Sequence, residues 1–251
     1  MILVLGGTAE ARDLAAALDG AGIRVVSSLA GRVANPRLPA GEVRIGGFGG
    51  PAALAGWLRE HGVAAVLDAT HPFAQRISAS AAQACPRAAV PLLRLERPAW
   101  AQRPGDCWHR VADLADAAAL VPSLGRRVLL TTGRQGLAAF APVDEAWFLV
   151  RCVDPPRPPL PPRHELLLDR GPYMLAGELA LIDRHAIDLL VTKDSGGHLT
   201  QAKLDAARHR GLPVIMVDRP PHPRVDTVGT VAEALAWARA HRGPRSPSGL
   251  A

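Results

Sequence analysis

The stretch Ile2-Leu3-Val4-Leu5-Gly6-Gly7-Thr8-Ala9-Glu10-Ala11-Arg12 decides the fold. Four apolar residues in a row read as a buried strand. Two glycines make a tight turn, and the Ala/Leu-rich run Ala9–Leu18 that follows reads as a helix, closed by Gly20 and Gly22. The same rhythm continues outward. Arg24–Leu29 and Val43–Ile45 read as strands, Pro51–His61 as a helix, Ala64–Ala69 as a strand, Phe73–Ala84 as a helix ending before Pro86, and Val90–Leu95 as a strand. Strands alternating with helices of this length predict βαβ units and a parallel sheet.

Arg97–Asp106, rich in proline and polar groups, interrupts the rhythm and reads as a linker. Helices are then expected at Leu114–Val121, Tyr173–His185, Leu199–Arg210 and Val231–Arg239. Strands are expected at Val128–Thr132, Ala146–Cys152, Leu189–Thr192 and Pro213–Val217. Pro155–Pro162 cannot enter a central strand or a helix interior and is expected to be a stiff exposed loop. The pattern predicts an α/β protein of two Rossmann-like parallel-sheet domains, residues 1–98 and 107–242, with a cleft between them and a flexible tail at 243–251.

Composition narrows the class. The 251 residues are 48% hydrophobic and 21% charged, enough apolar material for a packed core. No apolar run reaches the ~18 residues of a membrane helix, and the N-terminus lacks the basic flank of a secretory signal. Cys85, Cys107 and Cys152 form no C-x-x-C pair, so reduced packing residues in a cytoplasmic protein are expected. The net charge is +6, which favours anionic partners. Only two of the 29 basic residues are lysines, Lys193 and Lys203, and both fall in one short stretch.

Five strand ends carry candidate chemistry, because ligands of doubly wound sheets bind beyond the carboxyl ends of the strands. At the first, Gly6, Gly7 and Thr8 offer backbone N–H groups, a hydroxyl and a helix N-terminus to a phosphate. Glu10 belongs to capping or loop ordering there, since a carboxylate repels phosphate. At the second, Ser27-Ser28-Leu29-Ala30-Gly31-Arg32 contains no acid for a ribose 2′-hydroxyl. Ser28 and Arg32 suit a 2′-phosphate instead and favour NADP over NAD. At the third, Asp68-Ala69-Thr70-His71-Pro72-Phe73 places Thr70, His71 and Pro72 near the cofactor, with Pro72 also expected as the first residue of the next helix.

The second half supplies Thr131-Thr132-Gly133-Arg134 and Thr192-Lys193-Asp194-Ser195-Gly196-Gly197-His198. Lys193 is the leading candidate for an active-site cation or proton donor, with Tyr173 and His198 as alternatives and Asp194 as a candidate ion partner of Lys193. Arg134, Arg151, Lys193, Ser195, Gly196 and Lys203 are candidates for binding an anionic substrate. Other chemistries are poorly served. The nine histidines show no paired metal spacing, Walker and Gly-x-Ser-x-Gly motifs are missing, and a 4% aromatic content argues against base-stacking nucleic-acid modules.

Six segments in order, GGTAEAR, SLAGR, DATHPFA, TTGR, RGPY and TKDSGG, resemble the precorrin-6A reductase family of corrin biosynthesis; they span residue 1 to about 220. The resemblance implies NADPH-dependent reduction of one double bond in a tetrapyrrole macrocycle. Hydride passes to a ring carbon and a proton to its neighbour, without metal or flavin. It implies a polycarboxylate substrate, which a basic cleft suits, and an apolar wall for which Phe73, Trp100 and Tyr173 are candidates. No nucleic acid or membrane partner is expected; a monomer is, with transient contacts to neighbouring pathway enzymes left open. The family includes enzymes for cobalt-containing and cobalt-free substrate, so cobalt-precorrin-6A stays open as substrate, as does a non-catalytic NADP sensor.

Overall fold

The computed structural model describes residues 1–31 and 37–241. Its strands are β1 Ile2–Leu5, β2 Val25–Leu29, β3 Glu42–Ile45, β4 Ala65–Asp68, β5 Leu92–Leu95, β6 Cys107–Val111, β7 Arg127–Leu130, β8 Trp147–Cys152, β9 His164–Leu168, β10 Leu189–Lys193, β11 Pro213–Val217 and β12 Asp226–Val228. Its α-helices are α1 Ala9–Gly20, α2 Pro51–Glu60, α3 Gln75–Arg87, α4 Leu114–Leu124, α5 Leu175–His185, α6 Ala202–Arg210 and α7 Val231–Ala240.

The strands form two six-stranded sheets, ordered β12-β5-β4-β1-β2-β3 and β6-β11-β10-β7-β8-β9. Every pairing is parallel. Read outward from β1, the first sheet has the doubly wound order 3-2-1-4-5, and from β7 the second repeats it. In each the strand order reverses beside the founding strand, between β1 and β4 and between β7 and β10. Ligand crevices of such sheets open at that point.

Burial follows from helices on both faces. Ile2, Leu3 and Val4 of β1 are wholly inaccessible, as are Val66 and Leu67 of β4. Alternate β1 residues feed two cores. Ile2 and Val4 join Leu14 and Leu18 of α1 with Ala234 and Ala238 of α7. Leu3 and Leu5 join Leu54 and Leu58 of α2 with Ala81 and Ala84 of α3. Each buried leucine contributes on the order of 2–3 kcal/mol. In the second sheet, Leu129, Leu149, Leu190 and Met216 pack against Ile182 and Leu204.

The chain divides into one unit of Met1–Arg97 with Pro221 onward, and a second of Pro98–Pro220. This corrects the expected boundary. After Pro220 the chain returns to the first unit, where β12 pairs with β5 and α7 packs beside α1. The expected linker is also shorter than read. Trp100 is 9% exposed, and its backbone N–H donates to Asp194 while its indole Nε1 donates to the Gly197 carbonyl. Two helices run past their expected ends, α3 through the expected stop at Pro86 and α4 beyond Val121 through Pro122. Pro72 does not open α3, whose first residue is Gln75. Cys85 and Cys152 are buried, but Cys107 is exposed on an edge strand and is no packing residue. The expected tail and Arg32 lie outside the described residues.

Candidate functional site

In the first unit the β1–α1 turn meets the end of β4. Thr8 is the N-cap of α1 and accepts from the Ala11 N–H at 3.0 Å. Its hydroxyl donates to the Ala69 carbonyl at 2.8 Å. Both bonds are buried, so the Thr8 hydroxyl latches the turn to β4 and is not offered to a phosphate, contrary to the sequence expectation. What the turn has to offer an anion is therefore backbone rather than this hydroxyl. Gly7 sits at φ +113°, a conformation that favours glycine, and a Cβ built there meets nothing within 4 Å. The N–H groups of Ala9 and Glu10 lie in the first turn of α1, where helix geometry supplies no acceptor. A turn of this shape at a helix N-terminus fits a pyrophosphate.

A small pocket lies beside it, lined by Thr8, Glu10, Ala69, Thr70, Pro72, Leu95, Glu96 and Arg97. Thr70 donates its hydroxyl to Asp68 at 2.6 Å, and its backbone N–H donates to the same oxygen at 3.2 Å. His71 accepts from the Phe73 N–H through Nδ1 at 3.2 Å, which shapes the turn. Ser28 is 8% exposed, and its carbonyl accepts from the Gly6 N–H. Beneath the pocket, Arg94 stands 2.7 Å from Glu96 and 3.9 Å from Asp68. His222, from the returning segment, lies 2.6 Å through Nε2 from the Pro72 carbonyl. Burial and the Arg94 charge hold its pKa below the usual histidine value.

In the second unit, Lys193 is the last residue of β10. Burial pulls its pKa down to about 8. Asp194 is not its ion partner. That carboxylate is 1% exposed, accepts from the Trp100 N–H at 3.1 Å and pairs with Arg110 at 2.9 Å. Arg219 donates to the Asp194 carbonyl at 2.9 Å. Gly196 has φ +64°, and a Cβ there would strike the Pro98 carbonyl and Arg219. Its glycine is demanded by packing, so a substrate contact is not needed to account for it. Ser195 donates its N–H to the Lys193 carbonyl at 2.7 Å. His198 is exposed at the start of a short 3-10 turn.

Three expected substrate contacts are placed otherwise. Arg151 is 5% exposed and bound through both terminal nitrogens to buried Glu178, at 2.5 and 3.2 Å. Its guanidinium lies 4.0 Å from the Tyr173 ring centroid. This corrects the reading of Arg151 as a ligand for a free anion. Lys203 is 4% exposed, donates to the Thr200 carbonyl at 2.8 Å, and sits 4.7 Å from the Trp100 ring centroid. It too is a structural cation. Trp100 is consumed by the core and does not form an apolar wall. Arg134 keeps a 36% exposed side chain, 4.0 Å from Asp154. Tyr173 is half-buried, and desolvation raises its pKa.

Sequence reading missed Arg94, Glu96, Arg97, Arg110 and His222. The signal for Arg94 was present, since a charge inside the strand run Leu92-Leu93-Arg94-Leu95 demands a buried partner. Among the described residues no group of histidine, cysteine and carboxylate side chains could hold a metal. No described helix is long and apolar enough to cross a membrane.

Fold and strand-end turns together define a two-unit α/β protein with a glycine-containing turn at a helix N-terminus in its first unit. The profile of the precorrin-6x reductase family, CbiJ/CobK, matches residues 1–239. The precorrin-6A reductase of Rhodococcus erythropolis is 58% identical over 238 residues, covering 94% of this chain and 96% of that protein. The cobalt-precorrin-6A reductase of Salmonella typhimurium is 30% identical, with 87% of each chain covered. A solved structure titled CobK precorrin-6A reductase superposes with a TM-score of 0.91 at 43% identity, covering 96% of both chains. The chain belongs to the precorrin-6x reductase family and is an oxidoreductase.

Proposed function

We propose that the chain reduces one macrocycle double bond of precorrin-6A, with NADPH as the hydride source. The observation that carries the reading is identity above one half, over nearly the whole chain, to a precorrin-6A reductase. The Gly6–Thr8 turn supports a dinucleotide independently, because its backbone and helix end fit a pyrophosphate. The choice of NADPH rests on Ser28 and Arg32 and on the missing acid after β2. The metal-free substrate is favoured because relatives named for it are 58% and 53% identical, against 31% and 30% for two named for the cobalt form.

The bound nucleotide supplies a hydride; the protein supplies the rest. Gly6, Gly7 and the first turn of α1 would hold the pyrophosphate, with Thr8 fixing the turn. Thr70, His71 and Pro72 line the adjoining crevice. Arg134 attracts a carboxylate arm. Lys193, largely desolvated yet mostly protonated at neutral pH, delivers a proton to the carbon beside the one reduced. Its lowered pKa makes that transfer easier than for an ordinary lysine. Mixing protein, NADPH and precorrin-6A tests this reading. Loss of reduced nicotinamide together with a changed macrocycle spectrum is the expected result. NADPH binding with neither change would favour a sensor and end the enzymatic reading.

A further inference from the structure

We infer that Arg97 is a pyrophosphate-binding residue of the cofactor site, held in waiting by Glu10. The inference rests on the nucleotide reading above and goes beyond it, because no motif singled Arg97 out. Arg97 follows β5 by two residues and so stands at the carboxyl end of the first sheet, where ligands bind. Its Nη1 lies 2.6 Å from Glu10 Oε2, and both side chains are largely withdrawn from water, at 17% and 24% exposed. Glu10 sits in the first turn of α1, beside the N–H groups that would hold phosphate oxygens. Both residues line the pocket with Thr8 and Thr70.

The Glu10 carboxylate thus sits close to where a diphosphate would place its own charge. It answers the positive helix end and the guanidinium while no nucleotide is bound. An arriving diphosphate brings more charge and a geometry that suits a guanidinium fork. Arg97 then exchanges one anion for another, and Glu10 moves toward solvent. Glu96, the other acid of the pocket, is paired with buried Arg94 at 2.7 Å. A purely mechanical role, with the pair stapling α1 to the end of β5, makes different predictions.

The test is direct nucleotide binding, read by nicotinamide fluorescence or calorimetry on the full chain. Arg97→Gln should weaken NADPH and NADH by the same factor, about ten- to a hundred-fold, because the pyrophosphate is common to both. Glu10→Gln should leave binding intact or tighten it several-fold, because it removes the competing carboxylate. A staple would make the two substitutions equivalent, with similar losses of melting temperature and similar effects on affinity. That result overturns the inference. So does an Arg97→Gln protein that binds NADPH as tightly as the wild type. Circular dichroism and thermal melting show that each variant is folded, and Arg97→Lys, which keeps the charge without the fork, should fall between. A wild-type protein that binds neither nucleotide removes the cofactor reading itself, an outcome distinct from a wild type that binds and a variant that binds equally.

Discussion

Replacing Lys193 with methionine removes the ammonium and keeps an unbranched stem of similar reach. Burial sets the wild-type group at about 8. The lysine is then about 90% protonated at pH 7 and about 10% at pH 9. If Lys193 donates the proton, turnover follows the protonated fraction and falls roughly ninefold between those two values. The methionine variant should lose ~100-fold or more in kcat, together with the alkaline limb of the profile. Stability supplies a second readout. The folded-state pKa is lowered, so the unfolded chain binds more protons between about 8 and its ordinary value of about 10.4. Wild-type stability therefore rises with pH across that window, and the variant lacks the rise. The assay is NADPH oxidation by precorrin-6A across this range, with denaturant unfolding measured in parallel. A variant that keeps its kcat and only raises KM would refute proton donation and leave Lys193 as a ligand for a carboxylate arm.

Other outcomes follow from particular contacts. Arg151→Met should destabilise the second unit by about 3–5 kcal/mol in urea titration, because it strands the buried Glu178 carboxylate. Arg151→Met with Glu178→Leu should recover most of that loss. Arg32→Ala should weaken NADPH ten- to a hundred-fold, about 1.5–3 kcal/mol, and NADH little; equal losses in a binding titration would remove it from the 2′-phosphate site. Gly196→Ala should drive the Pro98 carbonyl and Arg219 apart and lower the melting temperature, by a shift corresponding to about 1–3 kcal/mol. Thr8→Val should cost about 1 kcal/mol through the lost N-cap, measured by thermal unfolding.

The helices and central strands were legible because burial writes apolar runs. β1, β4, β7, β8, β10 and β11 are almost wholly enclosed and carry Val, Ile and Leu in succession. The three strands that sequence reading missed, β6, β9 and β12, are all sheet edges. Cys107–Val111 and His164–Leu168 are half-exposed, and Asp226–Val228 has three residues, so none makes an apolar run. Prolines misled in the other direction. Near a helix end a missing N–H removes one bond of the last turn, which α3 and α4 tolerate. The strand-end turns were legible from glycine and polar clusters, and those after β1, β4, β7 and β10 fall at the reversal points of the two sheets. Which of their side chains are already engaged was not legible. Arg151 and Lys203 look like ligands in sequence, and only contacts with Glu178, Thr200 and Trp100 reveal their structural duty.

The return of the chain to its first unit sets an order of events during synthesis. β5 lies between β4 and β12, with Leu93 opposite Asp226. The distance in sequence from Leu95 to Asp226 is 226 − 95 = 131 residues. At ~5–20 residues per second a ribosome needs roughly 7–26 s to cover it. Throughout that interval one edge of β5 lacks its native neighbour, as does the α1 surface that Ala234 and Ala238 later cover. The second unit, being continuous, is complete while the first still waits. A chain that stops before Asp226 is therefore left with an open strand edge, a template for pairing with its copies. Premature termination near the end of this message should yield insoluble protein rather than a shortened enzyme.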